Sequence, residues 1–192
     1  MLYSEDDLTG AEDAYRAALA IAEALVARDP ANTLWQSDLS FSYVQIGDVL
    51  LAKGDLPGAE AAYRAALEID QTLAAQDPAK SDWQIALSIG HDKIGDVLMA
   101  QDNLAGAEAA YRAGLSIRET LALRDNGSVE AQLDLVDSLY NLSFVSADPR
   151  TDLEAALAIL TKLKSEGRLS PDDESWIWMV EDELAALSPD PP

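Results

Sequence analysis

The sequence contains no cysteine and a single histidine, His91, among 192 residues. That excludes disulfides, thiolate metal sites and cysteine nucleophiles, and leaves zinc without its usual ligand set. Aromatic residues are sparse at 6%, and basic residues are outnumbered, 13 against 35 acidic. The resulting net charge of −22 disfavours phosphate backbones and anionic membrane surfaces. No apolar run approaches the roughly 18 residues of a membrane span. The first residues, "MLYSEDDL", are acidic and read as neither signal nor transit peptide, so the sequence carries no address and is read as cytoplasmic. Phosphate-binding glycine loops, G-x-S-x-G and Rossmann glycine patterns are missing too. "DNGSVE" at Asp125 has too few carboxylates for a calcium loop and reads as a turn. His91 has no nucleophile or orienting partner in its pattern, and Tyr43 and Leu139 hold its place in neighbouring units. Neither an enzyme, a metal site nor a cofactor is indicated.

What is present is repetition. "LTGAEDAYRAAL" at Leu8, "LPGAEAAYRAAL" at Leu56 and "LAGAEAAYRAGL" at Leu104 recur at an interval of 48 residues. Trp35 and Trp83 keep the same interval, as do the "IGDVL" segments at Ile46 and Ile94. A period of this size in an Ala- and Leu-rich sequence indicates stacked helix pairs, each pair burying its face on the next. One helix is expected from about Ser81 to Gln101, with Trp83, Leu87, His91, Ile94 and Leu98 on its apolar face. The second is expected from about Ala105 to Arg124. Gly54 and Asp102 suit a left-handed helix end, and Asp55 and Asn103 suit N-caps. Pro30 and Pro78 end the preceding helices. Thr33 with Gln36, and Ser81 with Gln84, have the spacing of capping boxes. The recurring Trp35 and Trp83 read as core.

The half unit 1–30 is followed by units 31–78 and 79–126 and by a degenerate unit 127–167. In the last, Ala131 replaces Trp83, Ser143 replaces Gly95 and Ile159 replaces Tyr111. Leu135, Leu142, Val145 and Ala155 keep its apolar frame. Residues 168–188 read as a capping helix with Ser170 at the N-cap and Pro171 at N1. Trp176, Val180, Leu184 and Leu187 form its inner face, and Trp178 falls off that face as a candidate contact residue. The tail 189–192 reads as disordered.

Ile46-Gly47, Gly54-Asp55, Ala59, Tyr63 and Ala66, with Ile94-Gly95, Asp102-Asn103, Ala107, Tyr111 and Gly114, resemble the pattern of the tetratricopeptide repeat. The usual unit of that family has about 34 residues. The surplus here adds roughly two turns, or about 10 Å, to each helix. The chain thus resembles a long-helix bacterial variant, broadly similar to kinesin-light-chain repeats. The resemblance implies an all-α fold, a right-handed superhelical solenoid of antiparallel helix pairs. It implies a protein–protein interaction scaffold with no chemistry of its own, and a concave groove lined by the first helix of each pair.

Mapped by the family's contact positions, the groove rows are Phe41, Ile89 and Asp137; Val44, Asp92 and Tyr140; Asp48, Asp96 and Phe144; and Leu51, Met99 and Ala147. They hold no Lys or Arg, so the basic clamp by which chaperone-binding relatives grip a carboxylate is not implied. Apolar walls with Asp48, Asp92 and Asp96 suit a basic protein or peptide segment with apolar anchors. Asp48 and Asp96 recur with the repeat, so a bracing role is equally open for them. The half unit leaves Ala11, Tyr15, Ala18 and Leu19 without a full preceding helix. Either further repeats or another domain precede Met1, or two copies form a weak homodimer through this face. Two rival functions follow: a recognition fragment of a larger signalling or effector protein with its catalytic domain upstream, or a self-associating structural array.

Overall fold

A computed structural model describes residues 5–125 and 127–187, with side chains described from Leu8 onward. The "MLYS" stub and the tail 189–192 lie outside the described residues. Among the described residues the fold is all-α: α1 (Glu5–Arg28), α2 (Thr33–Ala52), α3 (Leu56–Gln76), α4 (Ser81–Ala100), α5 (Leu104–Arg124), α6 (Val129–Ser143), α7 (Pro149–Ser165) and α8 (Ser175–Ala186). The chain forms two compact units, Met1–Ala107 and Glu108–Pro192, which divide inside α5. In the first, α1 packs on α2, α2 on α3 and α3 on α4; in the second, α6 packs on α7 and α7 on α8. α2 and α3 have 20 and 21 residues, about 30 Å each at 1.5 Å per residue.

The turns follow from local chemistry. Gly54 has φ +78° and Asp102 has φ +60°, the left-handed conformation that ends a helix. Asp55 then accepts from the Gly58 N–H at 3.1 Å, and Asn103 from the Gly106 N–H at 3.1 Å. Pro30 and Pro78 stand just beyond the ends of α1 and α3.

The repeated words have distinct tasks. In A-E-x-A-Y-R, Glu60 pairs with Arg64 at 2.7 Å one helical turn on, as Glu12 pairs with Arg16 and Glu108 with Arg112. Glu12 also accepts from Lys53 at 2.6 Å and Glu60 from Gln101 at 2.8 Å, tying each pair to the end of a neighbouring helix. Tyr63 is fully buried, as are Ala59 and Ala66 on either side of it. A Cβ at Gly47 would overlap the Tyr63 ring, so the glycine is what lets α2 approach.

Several expectations are corrected. The capping boxes do not form: Asn32 caps α2, accepting from Leu34 and Trp35 at 3.1 and 3.2 Å. Thr33 and Ser81 are already inside their helices. Gln36 and Gln84 instead reach back to carbonyls of Pro30 and Ala74, at 2.7 and 3.2 Å. Trp35 and Trp83 are half-buried rather than core; their indoles are flanked by polar helix starts, and the Lys80 ammonium covers Trp83 at 3.9 Å from the ring centre.

In the degenerate unit α6 ends at Ser143 and α7 starts at Pro149 behind the Asp148 cap. This redrawn connection moves the apolar face one residue along, so Ala156 and Leu160 are fully buried while Ala155 is exposed and Ile159 only half-buried. Val136 likewise takes the interior place expected of Leu135, and Val145 is half-buried. Ser170 does not cap α8. It closes a turn onto Asp173, accepting from its N–H at 3.2 Å and donating to its carboxylate at 2.6 Å. Tight bonds from Trp176 to Asp173 and from Ile177 to Glu174 lead into the helix proper at Ser175. Val180 is its fully buried residue, and Leu187 is exposed.

Candidate functional site

α2 and α4 both lean on α3 in the first unit, and a cleft of about 410 Å³ opens between them. Its walls are Leu34, Ser37, Ser40, Phe41 and Val44 from α2 and Trp83, Ala86 and Ile89 from α4, with Lys80 and Asp82 at the start of α4. Asp70 of α3 lines it from below. Phe41 is 63% exposed and Leu34 67%, large apolar surface to leave in water on an otherwise packed helix.

Of the residues implied by the resemblance, Phe41, Val44 and Ile89 come together in this cleft. Asp48, Leu51, Asp92, Asp96 and Met99 lie in the same unit, half-buried except for the exposed Met99, but do not line it. Asp48 accepts from the Tyr63 hydroxyl and from Lys93 Nζ, both at 2.7 Å. Burial, followed by the hydrogen bond to Asp48 and the charge of Asp96, pushes the Tyr63 phenol far above its ordinary value. Asp48 therefore acts on the tyrosine of its own unit, and Asp96 on the tyrosine of the unit before it. Asp137 is half-buried in α6, and Ala147 is exposed in the connection to α7.

In the second unit the half-buried Tyr140 meets Phe144 edge-to-face at 5.0 Å and Trp176 at 5.5 Å. Burial and then Glu183 and Asp182 raise the Tyr140 phenol. Phe144 is 50% exposed and Trp178 62% exposed. On α1, Ala11, Tyr15 and Leu19 are half-buried and Ala18 is exposed.

Asp70, Lys80 and Trp83 were not among the residues that the resemblance implies. The signal for Asp70 lies in the repeat itself: at the 48-residue interval its place is held by Ala22 and Arg118, so an otherwise repeated face changes charge there. His91 is half-buried, and burial lowers its imidazole below its ordinary value. Among the described residues, no cluster of three or more His, Asp or Glu could hold a metal ion, and no helix is long and apolar enough to cross a membrane.

The tetratricopeptide repeat model matches residues 42–73, the segment from α2 through Tyr63 to Leu73. This segment is a tetratricopeptide-type repeat. Among solved structures, this repeat protein is similar to BtubC (BKLC) from P. vanneervenii, at 14% identity over 96% of this chain and 95% of that one, with a TM-score of 0.32. No curated protein matches it. Tetratricopeptide repeats act generally as scaffolds for protein–protein interaction, and the matched repeat supports that general role here; the fold is generally not catalytic.

Proposed function

We propose that this protein holds a segment of a partner protein in the cleft between α2 and α4. Phe41 carries the reading. Its ring is 63% exposed, yet it shares a cleft with Val44 and Ile89 on the facing helices. Covering a side chain of that size removes apolar area from water, worth about 1.5–3 kcal/mol. A partner with apolar anchors supplies the cover, and the protein's charge of −22 favours a partner carrying positive charge.

The test uses peptides selected on the immobilised protein from a random library. Phe41→Ser should weaken them about tenfold or more, whereas Ile21→Ser should leave them unchanged. Ile21 is as exposed, at 64%, but sits on α1 outside the cleft. Equal losses from the two variants, or none from either, would place binding elsewhere.

One observation favours self-association as a second reading. Ala18 is exposed where Ala66, its counterpart one repeat later, is fully buried. A second copy is the proposed occupant of this face, and like charge opposes it, so salt should promote it. Light scattering at low and high salt checks this; a monomer under both conditions removes the reading.

A further inference from the structure

We infer that Asp70 makes the floor of the α2–α4 cleft a receptor for a cationic side chain, an arginine carried between apolar neighbours on the bound segment. This rests on the reading of the cleft as a protein-binding site and names what that site selects.

Asp70 is 4% exposed, a carboxylate deep in a helix interface. Such groups are costly to bury unless something compensates the charge. Its neighbours supply little. Ser40 offers a hydroxyl from α2, but that single proton is also directed at the Ala66 carbonyl, at 3.4 Å. On α4, Gly90 stands close by: a Cβ there would lie 3.7 Å from Asp70 Oδ2, so at that position the facing helix brings no side chain to the carboxylate. Among the described residues no ion pair reaches Asp70. Burial pushes its carboxyl above the ordinary carboxylate range, and the Ser40 hydroxyl only partly offsets this. The missing partner is a donor that brings positive charge, and the cleft is its way in.

A second observation is independent of Asp70. On the cleft wall the Lys80 ammonium lies 3.9 Å from the centre of the Trp83 ring. The cleft already receives a cation on its aromatic face. Asp82 joins the same lining, so the titratable groups of the cleft are two carboxylates and one ammonium. An incoming cation is therefore attracted, and it can take the Trp83 face if Lys80 swings out to water. Arginine suits this site better than lysine. Its guanidinium is less strongly hydrated, stacks on aromatic rings and meets a carboxylate through two parallel hydrogen bonds. The exposed Leu34 and Phe41 fit the apolar residues beside it. The volume of about 410 Å³ has room for on the order of a dozen waters, more than one long side chain displaces.

The test compares two tripeptides blocked at both ends, Leu-Arg-Leu and Leu-Gln-Leu, titrated into the intact chain. Amide NMR shifts at Ser40, Phe41, Ile89 and Gly90 are the readout. The arginine peptide should bind about tenfold tighter or more, and Asp70→Asn should bring the two within about twofold. Asp82→Asn, at the rim, should change the preference less than about threefold. The peptide pair on the unaltered protein tests the arginine preference by itself, and the contrast of Asp70→Asn with Asp82→Asn assigns it to one of the two carboxylates of the cleft. If both peptides move the cleft amides with equal affinity, the cleft binds segments but Asp70 selects nothing, and only this inference falls. If neither moves them at about 10 mM, the inference and the cleft reading fall together. An arginine preference that survives Asp70→Asn would also overturn it.

Discussion

The Tyr63 hydroxyl donates to Asp48 at 2.7 Å, and the same carboxylate oxygen accepts from Lys93 at 2.7 Å. One aspartate thus joins α2, α3 and α4. Tyr63→Ala should cost about 3–5 kcal/mol, because a fully buried aromatic is lost and a cavity remains. Tyr63→Phe keeps the ring and should cost only about 1 kcal/mol. Urea unfolding of the two variants checks the ratio; equal losses would mean that the hydroxyl, not the ring, holds the helices.

Two glycines inside helices should respond oppositely to alanine. At Gly47 an added methyl meets the Tyr63 ring, so Gly47→Ala should cost about 1–3 kcal/mol by overpacking. Gly10 in α1 has open space at the same atom, so Gly10→Ala should stabilise by about 0.5–1 kcal/mol through helix propensity. Thermal melts give both signs.

Asp102 occupies a conformation that its counterpart Gly54 adopts freely. Asp102→Gly should gain about 0.5–1 kcal/mol, and Gly54→Ala should lose about as much or more. Denaturation midpoints that moved the other way would show that the Asp102 side chain stabilises the turn by more than its strain.

The pH dependence of stability has two signed parts. Asp70 has a raised carboxyl, so the folded state holds its proton longer than the unfolded state does. Its contribution is complete below the unfolded value near 3.8 and is lost as pH rises through the folded one. Asp70→Asn should therefore be the more stable protein at pH 7, with the difference shrinking towards acid; Lys80 and Asp82 are the other charged groups of that cleft. Tyr63 works at the other end. Its raised phenol protects the fold up to its ordinary value near 10, and that contribution is lost at higher pH. Stability measured from pH 4 to 11 for the protein, Asp70→Asn and Tyr63→Phe separates the two parts.

The 48-residue interval, the helix limits to within a residue or two in the intact units, the left-handed turns at Gly54 and Asp102 and the caps at Asp55 and Asn103 were all determined by the sequence. Each depends on backbone preferences or on hydrogen bonds spanning only a few residues, so the local string of residues contains its cause. The shifted face of α7, where Ala156 rather than Ala155 is buried, was decided by how the connection after Ser143 closes. Trp83 comes to lie only half-buried, with the Lys80 ammonium over its ring. Asp70 shows the limit most clearly. On a helical wheel it is one acid among 35 acidic residues. Only the approach of α2 and α4 to α3 removes it from water and opens a cleft above it, because burial is a property of the neighbouring helices and not of the residue.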